Sequence, residues 1–168
     1  MTLPIKKIRA FTLIELLIVM VLLAILASVS YTGIINARNH ARLKSATDTV
    51  IGMIQTTRSY ALSNMELDVG GVDCEAISYY VKFVGSTGVV NVYAVLDSDC
   101  GGEELLDTET IPEDIEMTLH GATTIYYYPP LAEVEFTGTI TIELETIDGA
   151  FTKNIEVYPI SGFPELID

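Results

Sequence analysis

The stretch KKIRAFTLIELLIVMVLLAILA constrains this chain more than any other. From Phe11 to Ile35 the single charged side chain is Glu15, and around 20 apolar residues in a helix suffice to cross a hydrocarbon core about 30 Å thick. Lys6, Lys7 and Arg9 precede the run, and the positive-inside rule keeps such a cluster cytoplasmic and sends the carboxy-terminal part of the chain outward. Glu15 then needs an explanation. A carboxylate at the centre of a bilayer costs about 2.5 to 3.5 kcal/mol on insertion scales, so an acid in a spanning segment is read as functional, with a partner to be named. Its position near the start of the run softens that penalty without removing it. A cleaved secretory signal peptide is the competing reading, with small residues from Ala27 to Ser30 and a mature start near Ser28 to Tyr31. Against it stand Glu15 and a run that outlasts the usual apolar region of about 7 to 15 residues.

The string Ala10-Phe11-Thr12-Leu13-Ile14-Glu15-Leu16-Leu17-Ile18-Val19 resembles the prepilin signature of type IV pilins and type II secretion pseudopilins. The resemblance implies an α+β, pilin-like fold: a long amino-terminal helix, transmembrane in its first half, packed on a small antiparallel β-sheet domain. It divides the chain into a leader over 1–10, a transmembrane and filament-core helix over 11–35, an amphipathic second half over 36–64, and a periplasmic or extracellular β domain over 65–168. Prepilin peptidase is expected to cut between Ala10 and Phe11 and to methylate the new amino terminus of Phe11. The family usually has Gly before the cut, so Ala10 departs from the pattern and implies slower or narrower processing.

The same resemblance gives Glu15 a partner, the terminal ammonium of a neighbouring subunit or of its own chain. Opposite charges in a low-dielectric bundle attract far more strongly than in water, and one left unpaired is expensive. A buried polar pair also penalises slipped packing and so sets register. The local alternative, an acid favoured at a helix amino terminus by the macrodipole, contributes about 0.3 to 1 kcal/mol. Implied partners are other pilin or pseudopilin subunits, the prepilin peptidase and an inner-membrane assembly platform. The implied location is the bacterial inner membrane, crossed once, with the carboxy-terminal domain in the periplasm and later in a filament. The implied work is structural, in protein secretion or pilus assembly, and not enzymatic.

Beyond Ser30 the pattern turns amphipathic. Leu43, Ala46, Val50, Ile54, Thr57 and Ala61 recur at spacings of three and four, which places them on one helical face. One helix is therefore expected from about Phe11 to Asn64, with its stripe covered by a sheet. Gly33 and Gly52 each cost such a helix about 1 kcal/mol relative to Ala and mark either a bend or a close contact. The segment ARLKSATDTVIGMIQTTRSYALSNM resembles the corresponding part of H-type minor pseudopilins and FimT-like minor pilins, and PPLAEVEFTGTITIELETIDGAFTKNIEVYPISG resembles the final strands of the H-type group, ending in a Ser161-Gly162 turn.

From Ser78 onward short strands are expected. Ser78 to Val84 and Val89 to Leu96 flank the turn Gly85-Ser86-Thr87-Gly88, a hairpin by composition. Thr139 to Glu145 alternates, with Ile140, Ile142 and Leu144 on one face, and Asp148-Gly149 turns the chain into Phe151 to Tyr158, with Ile155 and Val157 inward. Of the 23 acids, 21 lie from Glu66 onward against Lys82 and Lys153 alone. That balance, about minus 19, repels phosphate backbones, so nucleic acid is not an expected partner and a DNA-uptake pilin is the second reading.

Cys74 and Cys100 form no zinc pattern; if the domain is exported they are expected to pair, the alternative being two buried thiols. No catalytic constellation is visible. His40 and His120 are far apart in sequence and read as structural or exposed. No resident cofactor is expected, apart from one candidate: DSDCGGEELLD offers Asp97, Asp99, Glu103, Glu104 and Asp107 as oxygen ligands for Ca²⁺, which takes six to eight, or else is an acidic solvated loop. Tyr126, Tyr127 and Tyr128 form an exposed aromatic patch or alternate between core and rim of a strand.

Overall fold

The computed structural model describes residues 12–136 and 138–167. Helix α1 spans Leu13–Ser63, a run of 51 residues. By contacts the chain divides into two units, Met1–Arg38 and Asn39–Asp168. The described part of the first is helix preceded by Thr12. The second holds the rest of α1 and every described strand.

Helix α1 ends where the sequence predicts. Asn64 adopts φ 45°, the left-handed conformation that Asn tolerates after a helix, and its N–H donates to the Ala61 carbonyl at 3.4 Å. Gly33 and Gly52 lie inside the helix, and a side-chain carbon at either would meet nothing within 4 Å. Among the described residues no close contact accounts for these glycines.

Ten strands are described: β1 (Glu66–Val69), β2 (Val72–Val84), β3 (Val89–Leu96), β4 (Glu103–Thr110), β5 (Ile115–His120), β6 (Thr124–Tyr128), β7 (Glu133–Glu135), β8 (Ile140–Thr146), β9 (Thr152–Val157) and β10 (Pro164–Ile167). The larger sheet runs β4-β3-β2-β6-β7, with β1 also paired to β2; the smaller runs β10-β9-β8-β5. All these pairings are antiparallel.

The helical stripe is the floor of the core. Leu43, Ala46, Val50, Ile54, Thr57 and Ala61 are all buried, and the apolar members join one cluster with Tyr79, Val81 and Phe83 of β2, Val90 and Val92 of β3, and Ile142, Leu144 and Ile155 of the smaller sheet. Burying a Val, Leu or Ile side chain contributes about 1.5 to 3 kcal/mol, so this stripe holds the second half of the helix to both sheets. The expected alternation in β8 and β9 is present, with Ile140, Ile142, Leu144, Ile155 and Val157 buried.

Three strand assignments need correction. Strand β2 begins at Val72 rather than Ser78 and carries a bulge: Ala76 pairs with Leu96 and Ser78 with Val95, leaving Ile77 as the extra residue. Core-facing positions therefore change parity, from Cys74 and Ala76 to Tyr79, Val81 and Phe83, because an unpaired residue shifts a period of two by one. The acidic stretch after Gly102 is not a loop but β4, the edge of the larger sheet, with Glu103, Glu104 and Asp107 on it. The Ser161-Gly162 turn does not end the sheet; β10 comes after it and pairs with β9.

Candidate functional site: an uncovered apolar helix

The first half of α1 is left uncovered by the described chain. Leu13, Ile14, Leu16, Leu17, Val21, Leu22 and Leu26 are all exposed, from 51% for Val21 to 83% for Leu13. Monomeric soluble proteins rarely show contiguous apolar patches above a few hundred Å². A helix apolar on every side reads instead as a membrane span or the core of a bundle. By length and composition this helix can cross a membrane.

Glu15 sits in the first turn of that helix. Thr12 caps the turn: its Oγ1 accepts from the Glu15 N–H at 3.3 Å, and its carbonyl accepts from Glu15 and Leu16 at 3.1 and 3.2 Å. This is the Thr-x-x-Glu spacing of a capping box, a signal that sequence reasoning missed although the spacing alone carries it. The Glu15 side chain is exposed, and among the described residues it forms no ion pair. Ala10 and Phe11 lie outside the described residues, so neither the cleavage position nor the amine expected to meet Glu15 is on view.

The second half of α1 is fastened to the β domain by contacts beyond the core. Arg42 forms a salt bridge with Asp114, Asn39 Nδ2 donates to Asp148 Oδ2 at 2.9 Å, and the His40 ring meets Phe151 edge-on at 5.8 Å. Hydrogen bonds from Thr146, the Ala150 N–H and Asn39 hold the Asp148 carboxyl below its ordinary range. Farther along, the Arg58 guanidinium lies 4.1 Å over the Phe163 ring, and Tyr60 meets Tyr79 at 6.0 Å. His40 is thus exposed on the helix, with an edge contact to Phe151. His120 lies across the smaller sheet, 3.4 Å from Glu143.

Cys74 and Cys100 are joined by a disulfide, which ties β2 to the turn before β4. The five acids near it are spread over the turn, with Asp97 and Asp99, and β4, with Glu103, Glu104 and Asp107. Asp97 accepts from the N–H of Ser98 at 2.6 Å and Asp107 from that of Thr108 at 2.8 Å. Glu103 stands beside the Tyr80 hydroxyl. Among the described residues no group of three or more His, Cys, Asp or Glu side chains is placed to hold a metal ion.

The three consecutive tyrosines alternate. Tyr127 is fully buried and donates to the Gly162 carbonyl at 2.7 Å, its phenol pushed up by burial. Gly162 has φ 60°, and a side-chain carbon there would collide with Val134 and come within 2.8 Å of Tyr127. Tyr126 and Tyr128 are half-buried on the opposite face.

Residues 5–31 match the family described as the prokaryotic N-terminal methylation motif. The fold is similar to that of the minor pseudopilin EpsH from the Type 2 Secretion System of Vibrio cholerae, with a TM-score of 0.55 and 9% identity, over 75% of this chain and 96% of that one. At that identity the likeness is one of fold. No curated protein matches the sequence.

Proposed function

With motif and fold together supporting a type IV pilin or pseudopilin family, we propose that this chain is a structural minor subunit, H-type or FimT-like, of a type II secretion pseudopilus or type IV pilus. The observation that carries the reading is the apolar half of α1, exposed on the isolated chain, while the second half of α1 and the strands share one buried core. Such a helix needs lipid first and other helices later. In this reading prepilin peptidase removes residues 1–10, Phe11 becomes the N-methylated first residue, and Glu15 pairs with that amine in the same or a neighbouring subunit. The subunit crosses the bacterial inner membrane once, with its β domain in the periplasm, until the assembly platform draws it into a filament.

Mass spectrometry of the mature amino terminus tests this directly: a methylated Phe11 is expected, and a start near Tyr31 would overturn the filament reading. Glu15→Ala is expected to insert in the membrane normally and to be lost from filaments. Incorporation at the wild-type level would remove Glu15 from the mechanism. The acidic domain disfavours the DNA-uptake reading, which tight, salt-sensitive DNA binding in a gel shift would restore.

A further inference from the structure

The outer faces of the two sheets are chemically unlike. On the smaller sheet the outward positions hold Thr118, Glu143, Asn154 and Glu156, the ordinary polar side of a half-solvated antiparallel sheet. On the larger sheet the pairing register brings Tyr93, Tyr80 and Tyr126 side by side across three strands. The Tyr80 ring lies 4.9 Å from that of Tyr93, stacked at 19°, and 5.0 Å from that of Tyr126. Tyr128 extends the row and donates to Glu135 at 2.6 Å. Glu103 borders the other end, beside the Tyr80 hydroxyl. Only 5% of Tyr80 is exposed, while Tyr93 and Tyr126 are half-buried.

This face lacks one kind of chemistry. Among the described residues the cation placed over an aromatic ring is Arg58 on Phe163, elsewhere in the domain, and neither Glu103 nor Glu135 is in a salt bridge. Both carboxylates face neutral phenols. Lys82 shares the face but makes no ion pair among the described residues. A guanidinium is flat, stacks on aromatic faces and meets carboxylates with paired donors, which an ammonium does less well. Tyrosine and arginine are also among the residues enriched at the energetic centres of interfaces.

We propose that the tyrosine face of the larger sheet is a docking surface for a basic, arginine-bearing segment of another protein. Charge complementarity selects that occupant. From Glu66 onward this chain carries about minus 19, which repels phosphate-bearing partners and also the β domain of a second copy. The proposal concerns a different surface from the apolar helix and stands apart from the filament reading.

The test uses the full chain in detergent micelles and short fluorescent peptides alternating Arg or Lys with Ser, read by polarisation. The Arg peptide is expected to bind more tightly than its Lys counterpart and to weaken with salt. Tyr93→Ala with Tyr126→Ala, which removes two half-buried rings, is expected to raise Kd about tenfold. Glu103→Gln with Glu135→Gln keeps the rings and is expected to weaken binding similarly with an unchanged melting temperature. It therefore decides the matter even if the tyrosine variant folds poorly. Failure of the Arg peptide to bind would overturn the proposal. So would equal binding of the Arg and Lys peptides, or wild-type affinity in the glutamine variant, since either reports general attraction to an acidic domain. Competition by a neutral malto-oligosaccharide would overturn it in favour of a sugar site.

Discussion

The stretches Leu13–Leu26 and Leu43–Ala61 belong to one helix and are both rich in apolar residues, yet they solve opposite problems. In the second, every residue of the stripe is covered by strands of its own chain, and the other sides carry Arg42, Lys44, Asp48 and Arg58. In the first, apolar side chains point to all sides, and among the described residues none of them is buried. Hydrophobicity alone does not separate these cases; its distribution around the helix does. A stripe is complete within one molecule, whereas an apolar cylinder is finished only by something outside it.

That contrast can be broken experimentally, beginning where the effect is largest. Ile54→Ala, in the fully buried stripe, is expected to cost about 2 to 5 kcal/mol in unfolding free energy of the β domain; a cost below about 1 kcal/mol in a denaturant titration would mean the stripe is not its floor. Replacing both Cys74 and Cys100 by Ala, which opens a 26-residue separation, is expected to cost about 2 to 4 kcal/mol in the same assay. Arg42→Ala removes a half-exposed salt bridge to Asp114 and is expected to cost no more than about 1 kcal/mol. Leu22→Ala, in the uncovered half, is expected to stay within about 0.5 kcal/mol; a larger loss would show that the domain does cover this segment.

Alkali sharpens the picture from the β domain side. Its hydrogen bond to Glu135 is the main reason the Tyr128 phenol is pushed up to about 12, from an ordinary value of about 10. The folded state then holds a proton that the unfolded chain gives up, so this contribution is full below about pH 10 and is lost as pH rises through about 12. Tyr128→Phe is expected to make the loss of stability over that window shallower, as followed by circular dichroism.

Much of this organisation was legible because it rests on local periodicity. The helical stripe, the β2–β3 hairpin and the alternation of β8 and β9 need only their own segments to be recognised. What stayed hidden had physical reasons. Ile77 broke the alternation of β2, so its first six residues read as no strand at all. Strand β4 lies at a sheet edge and is dense in carboxylates; such charges guard an exposed edge against unwanted pairing, and to a composition-based reading they suggest a loop or a cation site. The tyrosine row draws on three separated segments, and only strand register, a tertiary property, lines Tyr93, Tyr80 and Tyr126 up. For the helix, the apolar run and Glu15 were plain, while the Thr12 cap was readable from its spacing and went unrecognised.

The bulge at Ile77 lets β2 accept a change in length that a strand ordinarily forbids. Without Ile77, Ala76 would be followed directly by Ser78, and Cys74, Ala76, Tyr79, Val81 and Phe83 would fall into one unbroken alternation, all facing inward. Losing Ile77 together with a neighbour would instead turn one of the two sets toward solvent. Here a single deletion heals the pattern and a double one breaks it, because the one residue that β2 carries beyond regular pairing is what shifts its parity.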